Sequence, residues 1–166
     1  MSSSFLADRD DPFPPMNSSR SSEQVSQLCA RLAPVPHLAL ELGQPLAART
    51  TFRIGGPAEV LARVGTESAL GRLLDAAAEL GMEHRVLGLG SNLLVPAEGL
   101  AGVTIVLEGE VLSIEVSGTR VVAGAALRLA RVARSTVERG LAGLEALAGF
   151  PSTVGGAVVM NAGCYG

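Results

Sequence analysis

The first helical pattern lies over residues 23–32, where Ser22 is placed as an N-cap and Pro34 stops the element just beyond its end. The stretch PLAARTTFRIGGPAEVLARV then passes through a Gly-Gly-Pro turn into an apolar strand at about residues 58–64. Thr66 can cap a second helix, in which Leu70, Leu73, Leu74, Ala77 and Leu80 recur at helical spacing and Gly81 supplies the stop. A second strand is expected at residues 85–87. Strand, helix and strand within about 30 residues form a βαβ unit, which implies a parallel pair with a right-handed crossover.

Beyond it the rhythm shortens. VTIVL, VLSIEV and RVVAG read as short strands separated by EGE and SGT turns, the pattern of a small meander. ALRLARVARSTVERG reads as a helix: Leu127, Leu129, Ala130, Val132, Ala133 and Val137 fall mostly on one stripe, and Gly140 is the stop. Arg128, Arg131, Arg134 and Arg139 read as its solvated face. The expected class is α+β.

Composition narrows the function. A chain of 166 residues with 48% hydrophobic content has the size and apolar content of one domain. Its net charge is -3 and its basic residues are scattered, so no nucleic-acid partner is expected. The two cysteines, Cys29 and Cys164, lie far apart in dissimilar surroundings, which favours a reducing compartment over a disulfide framework. No apolar run reaches the ~20 residues of a membrane span. Residues 1–22, rich in Ser, Pro and Asp, lack the basic start and apolar segment of a signal peptide and read as a disordered tail; Met16 is an alternative start. Residues 23–45 are expected to be a helix and linker. The predicted location is cytoplasmic.

Two glycine-rich stretches carry the candidate chemistry. In GLGSNLLV, residues 88–95, glycines one residue apart follow a parallel strand, where the backbone can turn sharply and present successive N–H groups to an anion. Ser91 and Asn92 add side-chain donors, and LLV reads as further strand. A pyrophosphate cradle of this kind needs no metal; the same residues also read as a plain turn. In AGFPSTVGGAVVMNAGCYG, residues 148–166, Pro151 stiffens the entry and Thr153 can cap. Gly155, Gly156 and Ala157 leave a surface on which a planar ligand or another backbone can lie, and Asn161 offers a donor and an acceptor.

TTFRIGGPAEV, VLGLGSNLLVPAEGLAGVTI and GLAGLEALAGFPSTVGGAVVMNAGCYG, in that order and at about that spacing, resemble the flavin-binding half of the UDP-N-acetylenolpyruvoylglucosamine reductase (MurB) family, from about Leu46 to Gly166. The resemblance implies an FAD-binding fold of the vanillyl-alcohol-oxidase or p-cresol-methylhydroxylase type, here in part: an FAD-binding domain over 46–166, truncated at its C-terminal end, with the substrate domain absent. By resemblance Gly88, Leu89, Gly90, Ser91 and Asn92 wrap the FAD pyrophosphate, while Gly149, Phe150, Pro151, Thr153, Val154, Gly156, Ala157, Asn161 and Gly163 line the flavin. Phe150, Ser152, Cys164 and Ala97 depart from the usual family residues (Ile, Gly, Ala and Asp) and remove no backbone donor. FAD is expected to be held noncovalently, because His37 and His84 lie outside the motifs.

The family's reaction passes hydride from NADPH through FAD to UDP-N-acetylglucosamine enolpyruvate, giving UDP-N-acetylmuramate for peptidoglycan. Its proton-donating serine and its arginine and glutamate lie downstream of the last motif, so no catalytic residue is assigned and this chain alone is expected to be inactive. A monomer is expected. The alternative is a stand-alone flavin-binding or partner-binding module without catalysis.

Overall fold

A computed structural model describes residues 18–163, with side chains from Ser22 onward. The tail expected over 1–22 therefore lies mostly outside the described residues, as does Cys164. Helix α1 spans Ser18–Leu32, one turn longer at its start than predicted. The added residues, four serines and Arg20, carry no apolar periodicity to announce them. α1 is followed by β1 (Leu38–Pro45), β2 (Pro57–Val64), α2 (Glu67–Glu79), β3 (His84–Val86) and β4 (Leu100–Leu107). After these come β5 (Ile114–Ser117), β6 (Arg120–Ala123), α3 (Leu129–Val137) and α4 (Val154–Val159).

β1 corrects the expectation of a linker up to residue 45. It pairs antiparallel with β2 along its whole length, from Leu38 opposite Val64 to Pro45 opposite Pro57. The main sheet has the order β1-β2-β4-β3. β2 and β3 are parallel as predicted, yet they do not touch: β4 lies between them and pairs parallel with both. The VTIVL segment, read as the start of a meander, is this central strand. Val103, Thr104 and Ile105 are wholly buried, as a strand covered on both faces requires. A continuous apolar run shows burial but does not name its neighbours. Of the meander only the β5–β6 hairpin remains.

α1 and α2 cover one face of the sheet, where Val25, Leu28 and Leu73 meet Val60, Val64, Val103 and Ile105. Thr66 caps α2 as predicted, its hydroxyl accepting from the Ala69 N–H at 3.2 Å, and Gly81 follows the helix at φ 62°. On the opposite face Ala58, Leu61 and Leu100 pack with Leu46, Leu87 and Val95 from the loops. A register shift between Ala58 and Val60 breaks the strand alternation and turns both Ala58 and Leu61 toward that second face. Val95 belongs to LLV, which is loop and not strand. The loop that carries the first glycine motif therefore helps to build the second face, through Leu87 and Val95.

In α3 the predicted stripe holds at Leu127, Val132 and Ala133, which are buried, but Val137 is 51% exposed. Thr136 takes the inward place, its hydroxyl donating to the Ala133 carbonyl at 2.8 Å. That back-bond lets a polar side chain sit where spacing favoured an apolar one. The four arginines around the helix are exposed.

Candidate functional site

β3 delivers the chain to the first glycine motif. Leu87 is buried and its N–H donates to Ile105 at 2.8 Å, holding the strand's exit against β4. The backbone then turns through Gly88, Leu89, Gly90, Ser91 and Asn92. Gly90 has φ 63°, and a Cβ there would run into the Arg49 carbonyl, so only glycine fits. The Gly90 carbonyl in turn accepts from the Thr51 N–H at 3.0 Å. The loop thus rests on the TTFRIGG segment, whose own turn is pinned by the buried Thr50, with Oγ1 3.3 Å from the Ala47 carbonyl and 3.2 Å from that of Ile54.

None of the five N–H groups from Gly88 to Asn92 donates to an acceptor among the described residues. Backbone donors are normally satisfied by protein or water. Five successive unspent donors, on a loop clamped from beneath, are the donor set that a pyrophosphate needs without lysine, arginine or metal. No group of His, Cys, Asp and Glu able to hold a metal ion occurs among the described residues.

The second motif approaches the first directly. Ser91 Oγ donates to the Pro151 carbonyl at 2.7 Å. At Gly88 an added Cβ would stand 3.0 Å from Thr153 Oγ1. From its other side the motif is held by the segment before α3: Leu129 N–H donates to Ser152 at 2.9 Å, Val154 N–H to Leu127 at 2.9 Å, and Gly155 N–H to Ala125 at 2.8 Å. Another backbone therefore packs at Gly155, where an added Cβ would lie 3.1 Å from the Ala125 Cβ. Thr153 caps α4 as predicted, accepting from the Gly156 N–H at 3.1 Å. With these bonds made, the N–H groups of Val154, Gly155 and Gly156 are spent within the protein, and the run of successive unspent donors lies at 88–92.

α4 ends in a Schellman turn. Asn161 N–H donates to Val158 at 3.1 Å and Ala162 N–H to Ala157 at 2.8 Å. Asn161 itself stands at φ 45°, a conformation asparagine tolerates better than most residues. Its side chain is exposed, as are Gly149, Pro151 and Gly163, while Phe150, Val154, Gly156 and Ala157 are half-buried. A cavity of about 690 Å³ between the start of α2, His37 and the Glu110–Ser113 turn contains none of these residues. Sequence reasoning missed the supporting role of Arg49, Thr50 and Thr51; apart from its Gly-Gly-Pro turn, TTFRIGG was legible only as a resemblance.

Residues 58–166 match the FAD binding domain family. The chain belongs to this family. Within it, the chain is 44% identical over 137 residues to the UDP-N-acetylenolpyruvoylglucosamine reductase of Syntrophotalea carbinolica, covering 82% of this chain and 46% of that protein. It is 43% identical over 123 residues to the Bacillus subtilis reductase, covering 74% and 41%. The crystal structure of the Thermus caldophilus reductase (MurB) superposes with a TM-score of 0.62 at 41% identity, over 76% of this chain and 43% of that one. The chain thus spans less than half the length of these relatives. The α+β class and the FAD-binding fold expected from the sequence both hold.

Proposed function

We propose that residues 46–166 are the FAD-binding part of an NADPH-dependent reductase acting on UDP-N-acetylglucosamine enolpyruvate. The observation that carries this reading is the run of five unspent backbone donors at Gly88–Asn92, joined by a 2.7 Å hydrogen bond to the second motif. FAD, when bound, supplies the hydride chemistry between NADPH and the enolpyruvyl group. The chain's own part is to bind and orient. Gly88, Leu89, Gly90, Ser91 and Asn92 offer main-chain N–H groups to the pyrophosphate. Gly149, Phe150, Pro151, Thr153, Val154, Gly156, Ala157, Asn161 and Gly163 present the low surface and the Asn161 amide toward the ring system. No candidate residue is charged, so the anion would be met by dipoles fixed before it arrives.

The groups that donate the proton and stabilise the intermediate are assigned to the part of the reductases that these residues do not match, together with the substrate-binding domain. A cytoplasmic monomer is proposed, in keeping with a nucleotide-sugar substrate; among the described residues no helix is long and apolar enough to cross a membrane. The test is to purify the full-length protein carrying these residues. FAD released intact by acid, and NADPH oxidation dependent on the enolpyruvyl substrate, are expected. Colourless protein with no affinity for FAD would contradict the reading.

A further inference from the structure

We propose that the Ser91 side chain is a positioning group that ties the flavin-facing loop to the pyrophosphate loop, and that its hydroxyl, unlike its main-chain N–H, is not a phosphate ligand. The inference rests on the FAD reading above. A serine hydroxyl has one hydrogen to give, and that of Ser91 is given to the Pro151 carbonyl at 2.7 Å. A phosphate at the same loop would find only the lone pairs of Ser91 Oγ, which repel it. Among the described residues this is the single side-chain hydrogen bond between the two motifs; their other approach is the close packing of Gly88 on Thr153.

The consequence is a division of labour within one loop. Main-chain N–H groups meet the anion, and the Ser91 side chain fixes Pro151. Pro151 leads through Ser152 and Thr153 into α4, so the bond sets the distance between the anion cradle and the surface proposed for the ring. Without it, the long-range hydrogen bonds of the 150–155 stretch would all come from residues 125–129, leaving only the packing of Thr153 on Gly88 toward the pyrophosphate loop. The part of the ligand that should feel Ser91 is therefore the flavin and not the phosphates.

ADP and FAD separate these possibilities, since both carry a pyrophosphate and only FAD carries the ring. In the full-length protein, Ser91→Ala is expected to weaken FAD about five- to tenfold, the value of one lost hydrogen bond. ADP affinity should stay within about twofold, and the visible circular dichroism of bound FAD should change shape. Ser91→Thr, which keeps the hydroxyl, should restore both. If Ser91→Ala does not fold, Ser91→Cys, a weaker donor of similar size, is read in the same way. Equal losses for ADP and FAD would make the Ser91 hydroxyl a phosphate ligand and overturn the proposal. Unchanged FAD affinity and dichroism would overturn it also. An unmodified protein that binds ADP but not FAD would instead remove the FAD reading, and this role with it.

Discussion

At Gly90 two demands meet: a φ of 63°, and the Arg49 carbonyl where a side chain would begin. Gly90→Val is therefore expected to cost the fold as well as the cofactor, with about 1 to 3 kcal/mol from backbone strain alone. Denaturant unfolding beside flavin content checks this; a variant as stable and as yellow as the parent would refute the loop's assignment. Asn161 poses the opposite problem, because its φ of 45° and its helix-ending bonds already account for an asparagine. Asn161→Gly keeps that backbone and removes only the amide. If the amide meets the flavin, FAD affinity should fall about tenfold with stability kept; unchanged affinity would leave Asn161 as a helix stop. Glu145 is a purely structural case. Hydrogen bonds from its own N–H and from that of Gly143, the latter at 2.7 Å, hold its carboxyl below the ordinary 4.5. A depressed folded pKa means that its stabilisation is complete above pH 4.5 and is lost as pH falls through the lower value. A carboxyl titration by NMR should show that depressed midpoint, and Glu145→Gln should remove the dependence.

Thr153 shows how much of an element's fate rests on its ends. It closes the first turn of α4 and lies against Gly88. Thr153→Val should cost about 1 kcal/mol through the lost cap, measured by thermal unfolding, with FAD affinity falling as α4 frays. Elements with local signals were legible in the sequence: α2 through its Thr66 cap, its spacing and Gly81, and α4 through Thr153. Elements whose identity depends on a neighbour were not. β4 is a run of apolar residues whose place between β2 and β3 is decided by long-range pairing. β1 carries an alternating Leu38, Leu40 and Leu42, a real signal, but one lying between a proline-bounded helix and a loop and easily read as linker. At the site, the glycine loops were legible, while the docking of Gly90 on Arg49 and of Ser91 on Pro151 joins residues 41 and 60 positions apart and has no local signature.

On the scale of the whole molecule, a well-packed sheet sits beside an exposed apolar surface. Val158, Val159 and Met160 are 76%, 82% and 58% exposed, next to the proposed flavin surface. Apolar groups so exposed favour association. Because the chain matches less than half of each relative, residues 1–166 alone are expected to show no substrate-dependent NADPH oxidation, to hold FAD weakly, and to aggregate on concentration. Steady turnover by protein of confirmed mass would contradict this and place a proton donor among these residues. The central claim, that the free N–H groups of Gly88 to Asn92 receive the pyrophosphate, is tested most directly by nitrogen–proton correlation spectra of the full-length protein during FAD titration. The amide signals of Gly88, Leu89, Gly90, Ser91 and Asn92 should shift downfield with ADP as well as FAD, while those of Val154 and Gly155, already bonded within the protein, should hold with ADP. Amides at 88–92 that stay in place while FAD binds would contradict the account.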